Sequence, residues 1–411
     1  MIISPQIIFY ILISIIVLNF IKDYFLDYIN AKFFNKKIPE NLNDIYDKEK
    51  YQKSQDYKKT LYKFGKVSKF YSLTILLLFF FFDGFLYVDN LARSFFESEL
   101  LISLGFFGII FFGSDILNLP FSLYNIFVIE EKFGFNKTTL KTYFFDKIKS
   151  WFITILFGGS VLSFIIWQFE TVGKDFWIIV WVFITIISVM INGFYAQIIV
   201  PIFNKQTKLE EGNLKNDIEK YSKKVGFDLS NIFVIDGSKR STKANAYFSG
   251  FGKLKRVTLY DTLINKLNDN QIVAVIAHEI GHYKKNHIIF NITFSIIQTG
   301  LMLYILSLLI NMPIFSQALG IQNHSFHIGL ITFSFLYTPV SEILSLVNNI
   351  FSRKFEFQAD NYAKQTFESK YLIEALKILS KDSLSNLTPH PKYVWWHYSH
   401  PTLAQRINRL Q

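Results

Sequence analysis

The pentapeptide His278-Glu279-Ile280-Gly281-His282 sets two imidazoles four positions apart with a carboxylate beside the first. On an α-helix, positions i and i+4 share a face, so both rings can reach one cation. Glu279 then stands where it can take a proton from an attacking water without itself ligating. This donor set suits Zn²⁺, one ion per chain, because zinc accepts nitrogen and carboxylate ligands and keeps an open position in catalytic sites. The chain contains no cysteine. Thiolate ligands, disulfides and a cysteine nucleophile are therefore excluded, and His, Asp or Glu must hold any metal.

A catalytic zinc needs a third protein ligand. The stretch 352–363 reads as a helix with Glu356 and Asp360 on one face. Glu356 is the candidate ligand; Asp360 is the candidate partner that orients a ligating His through its other ring nitrogen. Two further elements suit a peptide substrate. Asn245-Ala246-Tyr247-Phe248 is strand-like and lies upstream of the motif, so it offers an edge for an extended peptide. In Trp395-Trp396-His397-Tyr398-Ser399-His400-Pro401, a His is placed to donate to the oxyanion of a tetrahedral intermediate.

The elements that must position these groups are legible nearby. Asn268 or Asp269 caps a helix running through Gln271–His282. Upstream, Leu214–Val225 has helical spacing and Gly226 is a stop signal. Short runs at Ile232–Ile235, Ala246–Phe248 and Arg256–Tyr260 read as strands separated by turn residues.

The rest of the chain is membrane-like. Hydrophobic residues make up 51% of the 411, with 46 Phe and 22 Tyr, more than a soluble core needs. Spanning a bilayer takes about 20 apolar residues. Seven runs meet that length: about Ser4–Ile21, Ser72–Val88, Leu101–Ile129, Trp151–Phe169, Phe176–Phe203, Ile288–Ile310 and Phe326–Phe351. The first lacks a basic leader and a small-residue cleavage site and reads as a retained anchor. Asp115 and Glu342 fall inside such runs, so each is expected to face a protein interior or a wet cavity.

Lysine-rich connections alternate with lysine-poor ones along the chain, which places the N-terminus outside and the C-terminus in the cytosol. The formal charge of +11 is thereby explained by topology and a lipid bilayer, without nucleic acid. The sixth and seventh spans form a hairpin, so the chain that leaves after His287 returns to the same side just before Glu356. Lys284 and Lys285 keep the motif at the membrane surface rather than within a span. The domains expected are a five-helix membrane domain at 1–203 and a metallopeptidase domain at 204–411 that contains the last two spans, about 288–310 and 326–351.

In this setting the chain resembles the CAAX prenyl protease 1 family of membrane zinc endopeptidases, nearly end to end. The resemblance is carried by Leu119-Pro120-Phe121-Ser122-Leu123-Tyr124, Phe127 through Thr139, Pro201-Ile202-Phe203-Asn204-Lys205, Asp236-Gly237-Ser238, Asn245 through Phe248, the motif helix, Phe355 through Asp360, and His397 through Pro401. Thr402 stands where many relatives have a second Pro. The resemblance implies zinc at His278, His282 and Glu356, activation of water at Glu279, and substrate contacts at Asn245 and His400. It also implies that Arg406 braces the site by ion pairing.

The implied fold is mainly α: a seven-transmembrane-helix barrel around a large chamber, with a cytosolic zincin-like unit containing a small β-sheet. The implied reaction removes the C-terminal tripeptide of prenylated proteins, in a bacterial inner membrane or a eukaryotic endoplasmic reticulum membrane. Two other readings stand beside it: a broader quality-control protease with no need of prenylation, and a transporter or channel whose intramembrane acids line a pathway.

Overall fold

Among the described residues of the computed structural model, six helical segments are long and apolar enough to cross a membrane: Pro5–Ala31, Lys48–Phe81, Glu99–Glu130, Leu140–Phe203, His287–Leu309 and Phe326–Thr366. The structure describes residues 4–411 except 228, 230, 251–254 and 323–324. The fourth segment folds back on itself at Gly173, where φ is +69°. Phe164 meets Phe183 at 3.9 Å and Phe169 meets Phe176 at 5.4 Å between ring centroids, so its two arms run antiparallel. Large apolar side chains such as Leu18, Phe152, Ile186, Met190, Leu308 and Ile343 face outward from these helices. Such exposure suits lipid and would be unfavourable in water.

The principal helices, leaving shorter turns unlabelled, are α1 (Pro5–Ala31), α2 (Lys48–Phe81), α3 (Gly84–Phe95), α4 (Glu99–Tyr124), α5 (Leu140–Ile153), α6 (Gly159–Val172), α7 (Phe176–Ile198), α8 (Asn213–Lys224), α9 (Asp269–Lys284), α10 (His287–Leu309), α11 (Phe326–Thr366), α12 (Ser369–Asp382), α13 (Pro391–His397) and α14 (Leu403–Leu410). The run expected to span at Ser72–Val88 is not one helix. α2 begins in the lysine-rich stretch and ends at Phe81; Asp83 then takes a left-handed turn, φ 52°, and α3 starts afresh at Gly84. Asp tolerates that conformation where a bulky residue would not.

The two intramembrane acids are paired. Asp115 accepts from Lys147 Nζ and Trp151 Nε1, both at 2.9 Å, and Glu342 accepts from Lys22. Each acid is partly covered by protein and answered by a cation, which is how an ionisable group is tolerated at membrane depth.

Among the described residues, four short strands, β1 (Gln206–Lys208), β2 (Ile232–Ile235), β3 (Ala246–Ser249) and β4 (Arg256–Tyr260), form a mixed sheet in the order β1-β2-β4-β3. β2 and β4 are parallel and the other pairs antiparallel. β3 is therefore an edge strand. Val257 and Leu259 of β4 pack with Ile272, Ile276 and Ile280 of α9 in one core. That packing holds the edge strand and the motif helix in fixed relation.

Candidate metal centre

α9 begins with a reciprocal cap: Gln271 N donates to Asn268 Oδ1 at 3.0 Å, and Asn268 N donates to Gln271 Oε1 at 3.1 Å. Two otherwise orphaned donors are satisfied, so the helix starts at a defined residue. Its apolar face is buried, and Gly281 lets it lie directly on α11. α11 is continuous for 41 residues, about 60 Å at the usual helical rise. The seventh expected span and the helix carrying Glu356 are thus one rod.

These two helices bring His278, His282 and Glu356 together. The Nε2 atoms of the two imidazoles are 3.1 Å apart; His278 Nε2 is 3.5 Å from Glu356 Oε2, and His282 Nε2 is 3.2 Å from Glu356 Oε1. Metal bonds of about 2.0–2.1 Å in a tetrahedron require ligand atoms about 3.3 Å apart. Glu356 is buried, and its Oε2 lacks an aligned hydrogen bond although His400 Nδ1 stands at 3.1 Å and Arg406 Nη1 at 3.4 Å. Two ring nitrogens turned towards each other, with a buried carboxylate beside them whose Oε2 lacks an aligned hydrogen bond, fit a divalent metal.

The supporting residues are also in place. Asp360 Oδ1 lies 2.9 Å from His278 Nδ1. Arg406, reaching over from α14, grips Asp360 with Nε at 2.9 Å and Nη2 at 2.6 Å. Thr402 caps α14 in a second reciprocal box with Gln405, so the residue in place of a proline performs a structural task. His400 is largely exposed towards the site, with its Nδ1 on Glu356.

Electrostatics follow from this burial. Burial alone would push the His278 imidazole down, but its contacts with Asp360 and Glu356 outweigh that and hold it up at about 9. Burial pushes the Glu279 carboxyl up from its ordinary value, against the opposing pull of His278 and His282. Glu279 is walled by protein yet keeps part of its surface towards a cavity of about 400 Å³. Asn245, His278, Glu279, His282, Glu356, His400 and Arg406 all line that cavity. Asn245 is exposed at the start of the free edge of β3.

Several contacts were not legible from the sequence. His287 Nδ1 lies 3.0 Å from His282 Nδ1, and its Nε2 lies 2.7 Å from Gln358 Oε1. The N-terminal half also reaches the edge strand: Arg240 grips Asp146 with Nε at 2.7 Å and Nη2 at 2.9 Å, while Lys243 donates to Glu130 at 2.7 Å. Asn136 bridges to Ser241. The quoted stretch Phe127–Thr139 thus pins the chain just before Asn245. The i, i+4 spacings within α9 and within α11 are local signals; apart from His282 and His287, five residues apart, these partners are distant in sequence.

A cavity lined by a His-His-Glu group that fits a metal and by a further carboxylate, beside an edge strand and at the end of long apolar helices, is the arrangement of an integral-membrane metalloendopeptidase. Residues 28–205 match the family model described as CAAX prenyl protease N-terminal, five membrane helices, and residues 208–411 match Peptidase family M48. The chain is 36% identical to CAAX prenyl protease 1 of Saccharomyces cerevisiae, over 92% of this chain and 89% of that one. It is 34% identical to a CAAX prenyl protease 1 homolog of Homo sapiens, covering 91% and 88%. The crystal structure of S. mikatae Ste24p superposes with a TM-score of 0.94 at 35% identity, covering 98% of this chain and 99% of that one. The chain belongs to the CAAX prenyl protease 1 family, whose metallopeptidase part is of the zinc-dependent M48 type.

Proposed function

We propose that this protein binds one zinc ion per chain through His278, His282 and Glu356 and hydrolyses the peptide bond that frees the C-terminal tripeptide of a prenylated CAAX protein. The observation that carries the reading is the convergence of those three ligand groups, Glu279 and the open edge of β3 on one cavity. When bound, zinc supplies Lewis acidity to the scissile carbonyl and makes water a better nucleophile.

The chain's own residues do the rest. An extended peptide pairs with β3, and the Asn245 side chain, exposed at its start, holds the peptide backbone. Glu279 takes a proton from the attacking water, whose oxygen bonds to the carbonyl carbon. His400 donates to the oxyanion that develops. Glu279 then passes its proton to the leaving amine as the C–N bond breaks, which leaves a carboxylate and a free tripeptide. Asp360 orients His278, and Arg406 fixes Asp360.

The membrane placement follows the lysine pattern: N-terminus outside, active site at the cytosolic face, with a membrane domain to about residue 203 and a metallopeptidase domain after it. The substrate assignment draws on the names of the relatives. Purified protein incubated with a farnesylated CAAX peptide and its unlipidated twin tests it by mass spectrometry. Release of the tripeptide from the farnesylated peptide, and not from the variant Glu279→Gln, is the expected result. Equal cleavage of both peptides would replace the reading with a lipid-independent quality-control protease.

A further inference from the structure

The ring nitrogen of a ligating histidine that faces away from the metal must carry the proton, and a fixed acceptor for that proton both orients the ring and raises its basicity. For His278 the acceptor is Asp360. His282 has no carboxylate at its Nδ1; it has another imidazole, His287, at 3.0 Å. If Nε2 of His282 is committed to the metal, its proton sits on Nδ1 and is donated to the lone pair of His287 Nδ1. His287 then carries its own proton on Nε2, which points at Gln358 Oε1, 2.7 Å away. Every proton in the chain is assigned, and each donor meets an acceptor.

We propose that His287 and Gln358 form a neutral relay that positions His282, the counterpart of the Asp360–Arg406 brace on His278. The inference rests on the zinc centre proposed above. The fold is built to hold it. Asn286 takes a left-handed conformation, φ 58°, between α9 and α10, and this abrupt break swings His287 back against the helix it has just left. His287 is 2% exposed and lies flat on Phe355, 4.2 Å between centroids and 14° between planes. Phe355 immediately precedes Glu356. Helix α11 therefore supplies a candidate ligand, Glu356, together with the terminal acceptor behind each imidazole, Asp360 and Gln358.

His287 borders the same cavity, but both its ring nitrogens are taken up by His282 and Gln358, so its part is that of a positioning residue. The discriminating variants are His287→Phe, which keeps a stacking ring but removes both nitrogens, and His287→Asn, whose amide oxygen replaces the Nδ1 acceptor. Zinc affinity is read by titrating the metal-free full-length protein in detergent against a chelator, with thermal melting of the metal-free form to check folding. His287→Phe should weaken zinc binding by about 10–100-fold without lowering the melting temperature of the metal-free protein. His287→Asn should recover most of that loss, and Gln358→Leu should fall between the two. Wild-type affinity in His287→Phe, or no recovery in His287→Asn, overturns the relay. Failure of the wild type to take up zinc would instead sink the metal centre itself.

Discussion

A side chain built on Gly281 would stand 3.0 Å from the Ala359 α-carbon and 3.1 Å from its carbonyl oxygen. Helices α9 and α11 touch there through backbone, one residue from His282 and three from Glu356. A larger residue in the middle of the motif must push the two helices apart and carry the carboxylate away from the imidazoles. Gly281→Val is expected to cost about 1–3 kcal/mol of stability, the usual penalty for overpacking. Zinc content should fall alongside, as read by metal analysis and thermal melting. Wild-type zinc content in this variant would show that the contact is not what sets the ligand spacing.

Glu279 contributes nothing to the triangle of ligand atoms, so its chemistry is separable from metal binding. Glu279→Gln keeps the shape of the residue and removes the proton acceptor. Turnover of a prenylated peptide should drop by at least about 10²–10⁴-fold, while zinc stays bound. Loss of the metal together with activity would reassign Glu279 as a ligand.

Much of this site is legible in the sequence. The cap at Asn268, the strands at 232–235 and 256–260, and both i, i+4 pairs are local patterns, and local patterns survive folding. What was missed is non-local or masked by composition. Ser352-Arg353-Lys354 interrupts the apolar run with polar residues, so the continuity of α11 from the membrane to Asp360 was not visible. Asp83 and Gly84 sit inside an apolar stretch that hydropathy averages over, which concealed the break between α2 and α3. β1 has only three residues, too few to show alternation. The pairing of His282 with His287 depends on one left-handed residue, Asn286, and no periodicity announces it.

His278 holds its extra proton up to about 9 in the metal-free protein because two carboxylates face it. A ligating imidazole must be neutral, so zinc binding displaces that proton. Below pH 9 the apparent affinity should therefore rise with pH, by about tenfold per unit for one proton released, and flatten above it. Chelator competition at pH 7 and pH 8 measures the slope. A flat profile across that interval would mean that His278 is already neutral.

Asn245 stands at the cavity end of the edge strand, and its backbone carbonyl is occupied by Tyr260 N at 3.1 Å. Its side-chain Oδ1 accepts from Ala246 N at 2.9 Å, so Nδ2 is the group it would offer a substrate. Asn245→Ala should lower kcat/KM with zinc content unchanged, by about tenfold if one hydrogen bond of about 1.5 kcal/mol is lost. An unchanged kcat/KM would move the peptide off this edge.

The role of Arg406 rests on geometry that a lysine cannot copy. Its guanidinium meets both Asp360 oxygens and also stands 3.4 Å from Glu356 Oε2. Lysine offers a point charge in place of the planar fork. Arg406→Met would leave Asp360, 1% exposed, with a buried charge and only His278 to answer it, at a cost of about 3–5 kcal/mol. Arg406→Lys keeps the charge and loses the two-point grip, so it should fall between Met and wild type in both melting temperature and zinc affinity. If Arg406→Lys proved as damaging as Arg406→Met, the fork would be the decisive feature; if it matched wild type, charge alone would suffice and the bidentate brace would be dispensable.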